Sequence, residues 1–173
     1  EEHPNEEALF AYRRNSIVGP MQRFHWFDGD PEVGNVIDSG EGAWLCNKPP
    51  WGNLVAVNAS TGDIAWKVPL GITEELPEEK QRTGRVSFGG PITTAGGLVF
   101  IAATNDRRFR AFDSRTGKEL WVTKIAMNAR AVPMTYLGRD GRQYVAIVAA
   151  GASHIDDPSP PEGQALVVFA LPE

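Results

Sequence analysis

An all-β chain assembled from a repeated four-stranded unit is the fold this sequence predicts. Three observations predict it. From Trp51 onward, short β-like runs recur between clusters of Gly, Asn, Asp and Ser. An eleven-residue pattern occurs twice, 55 residues apart, and self-similarity on that scale marks a repeat architecture. Gly (18) and Pro (13) are abundant among the 173 residues, which favours turns over long helices.

The elements follow in order. Residues 1–43 form an irregular N-terminal excursion with no clear period. Turn formers crowd it, as in Gly19-Pro20 and Asp28-Gly29-Asp30-Pro31. One short helix is expected around residues 5–13. Its scattered aromatics (Phe10, Tyr12, Phe24, Trp26, Phe27) argue for packing on a scaffold and against full disorder. Residues 44–173 are read as the repeated part, with strands at 53–58, 64–70, 90–94, 98–104, 108–113, 119–125, 131–136, 144–149 and 165–171. Alternation is visible in Leu54-Val55-Ala56-Val57, whereas Leu98-Val99-Phe100-Ile101 reads as buried on both faces. Residues 71–87 are a polar, acidic insert carrying Glu74, Glu75, Glu78 and Glu79, and 156–163 is a Pro-rich loop.

The two copies of the pattern are Ala56-Val57-Asn58-Ala59-Ser60-Thr61-Gly62-Asp63-Ile64-Ala65-Trp66 and Ala111-Phe112-Asp113-Ser114-Arg115-Thr116-Gly117-Lys118-Glu119-Leu120-Trp121. The physics fits a hairpin. Asn58 or Asp113 caps the turn, Gly62 or Gly117 supplies a positive φ, and the next strand carries the Trp inward. A large ring set against a small Ala of a neighbouring unit would fasten adjacent sheets. The strands group as half a unit, one complete unit of four, and a final unit of three. The chain therefore reads as a partial β-propeller of about two to three blades. A stack this short exposes sheet faces and edges. Partners are expected to cover them: the remainder of the propeller polypeptide or further copies of the chain.

Composition excludes some functions. The net charge is −5 and no basic tract is present, so nucleic acid is not an expected partner. Arg107, Arg108 and Arg110 form the densest basic stretch and are read as solvated charges in a turn or edge strand. No apolar run approaches the ~20 residues of a membrane span. Glu1-Glu2-His3-Pro4 lacks the signature of a signal peptide, which decides nothing about compartment. Cys46 is the single cysteine. It is an inert thiol, or it bridges to a part of a parent chain.

The repeat and its surroundings resemble a known family. The Ala-x-Asp-x-x-Thr-Gly-Lys-x-x-Trp motif is similar to the tryptophan-docking motif of eight-bladed quinoprotein dehydrogenases. The likeness extends through Cys46-Asn47-Lys48-Pro49-Pro50-Trp51-Gly52, Gly89-Gly90-Pro91-Ile92-Thr93-Thr94-Ala95-Gly96-Gly97-Leu98-Val99-Phe100-Ile101 and Gly141-Arg142-Gln143-Tyr144-Val145-Ala146-Ile147, and it closes with Val167-Val168-Phe169-Ala170-Leu171-Pro172. It covers residues 44–173 and resembles the C-terminal end of the membrane-bound quinoprotein glucose dehydrogenase group. The resemblance implies a sugar or alcohol dehydrogenase that uses pyrroloquinoline quinone (PQQ) with Ca²⁺. It also implies a quinone or cytochrome electron acceptor and a periplasmic or secreted location. The family's catalytic base and metal carboxylates have no counterparts here, so this segment alone is expected to be inactive, and no catalytic or metal-binding residue is assigned. Eight units of this length would need about 440 residues, so the chain is expected to be the C-terminal piece of a longer protein.

What the resemblance assigns to this region is part of the cofactor pocket wall, at three loops. The first is Ser87-Phe88-Gly89-Gly90, where Val86-Ser87 replaces a Pro-Asn frequent in relatives. The second is Asn128-Ala129-Arg130, where glucose dehydrogenases tend to carry Gly-Gly-Gln, and where Arg130 can reach a PQQ carboxylate. The third is Ala150-Gly151-Ala152-Ser153-His154, with His154 standing for a family His shifted by about one residue. The cofactor-binding candidates are thus Ser87, Phe88, Gly89, Arg130 and His154. His154 has an alternative reading as a solvated loop residue beside Asp156 and Asp157. His3 and His25 lack metal-ligand spacing, and the paired carboxylates at 74–75, 78–79 and 156–157 read as solvated. Asp106 reads as a hairpin-turn residue. A propeller that keeps the Trp motifs but serves as a non-catalytic interaction scaffold, or an inactive fragment, is the alternative to an enzyme part.

Overall fold

The structure, a computed structural model, describes residues 48–151 and 164–170, apart from 75 and 86. The excursion and short helix expected within 1–43, Cys46, His154, and the paired carboxylates at 156–157 lie outside the described residues. Among the described residues nine strands run in chain order: β1 Asn53–Val57, β2 Ile64–Pro69, β3 Ile92–Thr93, β4 Leu98–Ile101, β5 Arg108–Asp113, β6 Glu119–Lys124, β7 Met134–Leu137, β8 Gln143–Ala149 and β9 Ala165–Ala170. They form three antiparallel meanders, β1-β2, β3-β4-β5-β6 and β7-β8-β9. These are the half unit, the full unit and the unit of three that the sequence predicts. A single 3-10 turn at Glu78–Lys80 interrupts the acidic insert.

The middle sheet is packed on both faces. Leu54 and Leu70 meet Val99, Ile101, Ala103 and Phe112 on one side, with Trp66 and Val68 against them. Phe109, Ala102 and Ile125 meet Val145, Ile147 and Ala149 on the other, with Phe100, Val167 and Phe169. Alternation in β4 produces this directly, because Val99 and Ile101 point one way and Phe100 the other. Each of the Val, Leu, Ile and Phe side chains, once fully buried, contributes roughly 1.5–3 kcal/mol.

The two hairpins of the repeat close as their residues require. Asp113 accepts hydrogen bonds from the Arg115 and Thr116 amides at 3.0 and 2.8 Å, and Asn58 accepts from Ser60 at 2.9 Å. Gly62 and Gly117 take φ of 82° and 70°, the left-handed region that a side chain disfavours. The Trp contact differs from expectation. Trp66 lies over Gly117 of the next unit, where a Cβ would stand 2.6 Å from the ring. Its indole N–H donates to the Ser114 carbonyl at 3.0 Å. The small partner is therefore a turn glycine and not an alanine, because only a bare backbone lets the ring come this close.

The basic stretch also departs from expectation. Arg110 is 1% exposed, not solvated. It pairs with Asp106, also bonds Thr104 Oγ1 at 3.1 Å, and reaches Glu119 at 3.2 Å. Asp106 lies in the β4–β5 hairpin as expected, but it is buried and accepts from the Ile72 amide at 3.0 Å, which ties the acidic insert to the middle sheet. Burial would raise the Asp106 carboxyl. The hydrogen bond and charge of Arg110, with help from Thr104 and Ile72, outweigh it and hold the carboxyl below its ordinary value. Glu74 in the insert is also more than a solvated carboxylate, since it pairs with Arg108 and with Lys124 at the surface.

Candidate functional site

Segments from the three loops meet at one end of the second and third sheets. Ser87 pairs with Thr104 in an isolated antiparallel bridge. The Phe88 amide donates to the Ala103 carbonyl at 2.8 Å, and the Ala103 amide donates to the Ala129 carbonyl at 2.9 Å. The Gly151 amide donates to the Asn128 carbonyl at 2.9 Å. A continuous main-chain ladder thus runs from 87–88 through 103–104 and 128–129 to 151. Residues about forty apart in sequence become neighbours because each segment follows or precedes a strand at the same end of its sheet.

On this ladder stand the two side chains with recognition chemistry. The Arg130 guanidinium lies over the Phe88 ring, 5.0 Å from its centroid, an arrangement in which the ring quadrupole attracts the cation. Phe88 stays 39% exposed. Gly89 takes φ 151°, and a Cβ there would stand 2.7 Å from the Arg130 carbonyl oxygen and 3.2 Å from the Ala103 Cβ. Its role is close approach: it lets the Phe88 loop lie against the Arg130 backbone.

Ala103 and Arg107 have positive φ, 58° and 52°. Each left-handed non-glycine residue costs roughly 1 kcal/mol. Both are held: Ala103 by the bonds above, and Arg107 by the Asn128 side-chain oxygen, which accepts from its amide at 3.1 Å. Beneath them the buried Thr104–Asp106–Arg110 network stiffens the hairpin.

Of the sequence-assigned residues, Phe88, Gly89 and Arg130 come together. Ser87 joins them through its backbone bridge and is exposed. Gly151, at the start of the third loop, reaches the group, while His154 lies outside the described residues. Sequence reasoning missed Ala103, because an alanine carries no chemical signal and its left-handed backbone has no local signature. Among the described residues no group of three or more His, Cys, Asp or Glu side chains is placed to hold a metal ion.

Repeated antiparallel meanders stacked face to face define the class as a β-propeller. The chain belongs to the PQQ-dependent glucose/ethanol/alcohol dehydrogenase family, whose β-propeller domain model matches residues 28–145. It is 39% identical to the quinate/shikimate dehydrogenase (quinone) of Acinetobacter baylyi over 73% of this chain and 16% of the relative. It is 39% identical to the glycerol dehydrogenase large subunit of Gluconobacter oxydans over 75% of this chain and 18% of the relative. Among solved structures, the quinohemoprotein alcohol dehydrogenase from Comamonas testosteroni superimposes with a TM-score of 0.51 at 26% identity, covering 68% of this chain and 16% of that one. The chain spans about one sixth of the length of these relatives.

Proposed function

We propose that this chain contributes the last blades of a PQQ-dependent sugar or alcohol dehydrogenase, and that the Ser87–Gly89 and Arg130 loops form part of the cofactor pocket wall. The observation that carries this reading is the Arg130–Phe88 pair on the loop ladder. PQQ is a planar aromatic quinone that bears carboxylates. A guanidinium with a fixed plane suits a carboxylate, and an aromatic face suits a flat ring, so the residues present fit the group. When bound, PQQ supplies the two-electron acceptor for oxidation of an alcohol group. The residues of this chain bind and orient it: Arg130 donates to a carboxylate, Phe88 fixes the plane of the guanidinium, and Gly89 lets the loop approach. His154 is assigned to the same wall from the third loop. Calcium would be held by ligands mostly outside this chain.

Further units of the propeller complete the pocket, as the remainder of the polypeptide or as further copies of the chain. The outer face of the third sheet supports this, with Met134, Tyr136, Leu166 and Val168 exposed in one apolar surface. Relatives of equal identity are named for quinate or shikimate and for glycerol, so the substrate is proposed only as a sugar or other alcohol. A quinone or cytochrome accepts the electrons, in the periplasm or outside the cell.

The test is a fluorescence titration of the full-length protein with PQQ, wild type against Arg130→Ala. Loss of a charge-assisted hydrogen bond predicts a roughly 10- to 100-fold weaker Kd. Equal affinity in the two proteins would remove Arg130 from the wall. No binding by wild type would favour a non-catalytic interaction scaffold, a reading that the exposed third sheet also supports.

A further inference from the structure

We infer that Ala103, which makes no recognition contact itself, is the positioning residue for the Phe88–Arg130 pair; this rests on the pocket-wall reading above. Ala103 is the point through which the two loops are joined. Its carbonyl holds the Phe88 amide at 2.8 Å and its amide holds the Ala129 carbonyl, next to Arg130, at 2.9 Å. The left-handed backbone at φ 58° sets the directions of these two groups. It is also why β4 ends at Ile101, short of Thr104. The side chain is confined too. Ala103 is buried, and its Cβ lies 3.2 Å from where a Cβ on Gly89 would stand. A larger residue would press on the Gly89 backbone and move Phe88 away from Arg130.

The arrangement is doubled at the other end of the same hairpin. Arg107, also left-handed, is clamped by the buried Asn128 side chain, and Asn128 in turn holds Gly151. One hairpin therefore carries two disfavoured residues, each bonded to the segment that bears Arg130. Backbone strain maintained in this way survives only where the surroundings over-determine it, and it marks sites at which geometry matters. The Asp106–Arg110–Thr104 network under the turn supplies that over-determination.

The experiment compares wild type, Ala103→Gly, Ala103→Val and Leu54→Ala in the full-length protein. Leu54→Ala is a control for general destabilisation within the same core cluster. Amide hydrogen exchange at Phe88 and residue 103 is read beside PQQ affinity. Glycine adopts the left-handed backbone freely, so Ala103→Gly should keep the protection of Phe88 and bind PQQ within about twofold of wild type. Ala103→Val should speed exchange at Phe88 at least tenfold and weaken PQQ about tenfold or more, whereas Leu54→Ala should leave both unchanged at matched loss of stability. Protection of Phe88 retained in Ala103→Val, or lost equally in Leu54→Ala, would overturn the inference. Should Ala103→Val fail to fold, Asn128→Ala is the second route. It frees the Arg107 amide without adding volume, and exchange at Arg107 that stays at the wild-type rate would contradict the clamp on this hairpin. If wild type binds no PQQ, the pocket reading fails, while the exchange rates alone still decide whether Ala103 joins the loops.

Discussion

The two copies of the eleven-residue pattern fold into the same hairpin but stand in different surroundings. In the second copy, Gly117 lies beneath the Trp66 ring; in the first, the equivalent Gly62 has open space where a Cβ would stand. Trp66 donates to Ser114 of the next unit. Trp121 instead packs edge-on against Phe109 and Phe169, with centroids 5.9 and 5.2 Å away, and stays 38% exposed. The strand positions differ as well. Val55 and Ile64 are exposed at 42% and 62%, while their counterparts Arg110 and Glu119 form an ion pair with Arg110 fully buried. The turn is therefore a local property of Asn or Asp and Gly, whereas the value of the Trp and the flanking pair depends on what the stack places against them.

The comparison is broken most severely at its ion pair. Arg110→Ala leaves the buried Asp106 without its counter-ion, and we expect a loss of about 3–5 kcal/mol, against under ~1 kcal/mol for the equivalent Val55→Ala at its exposed position. Urea unfolding of both variants measures it, and similar losses would erase the distinction between the copies.

The docked and undocked tryptophans give the next contrast. Trp66→Ala should cost about 3 kcal/mol, through lost packing and the bond to Ser114, and Trp121→Ala roughly half as much. Gly117→Ala should approach the Trp66→Ala loss, since a Cβ collides with the ring. Gly62→Ala should cost only about 1 kcal/mol, for the disfavoured φ. A Gly62→Ala loss as large as that of Gly117→Ala would mean that the first turn is also covered.

The smallest effect is on pH dependence. The folded pKa of Asp106 is depressed, so its contribution to stability is present above the ordinary value of 3.8 and is lost as pH falls through the lower folded value. Stability measured from pH 5 downward should therefore fall more steeply in wild type than in Asp106→Asn. Parallel profiles would place the acid-sensitive carboxylate elsewhere.

Much of the fold was legible because its signals are local. Alternation and turn residues located all nine strands, and the 55-residue repeat grouped them correctly. The errors fall where tertiary contacts override local signals. The strand expected over 98–104 stops at Ile101, because Ala103 turns left-handed to meet two loops. The strand expected from 131 begins at Met134, after Pro133, which has no amide to give to a ladder. Arg110 read as a solvated charge because its partner lies across a hairpin turn. An acid and a base four residues apart around a tight turn were the available signal. The candidate site was proposed only through motif likeness at Ser87–Gly90 and Asn128–Arg130. Nothing in residue order alone says that loops some forty positions apart share one ladder.

The proposed role of this chain is to supply wall residues to a PQQ pocket. Native mass spectrometry of the full-length protein incubated with PQQ tests it most directly. A PQQ adduct on the assembled propeller is expected, lost on denaturation and depleted in Arg130→Ala. An assembled protein that carries no adduct at saturating PQQ would contradict it.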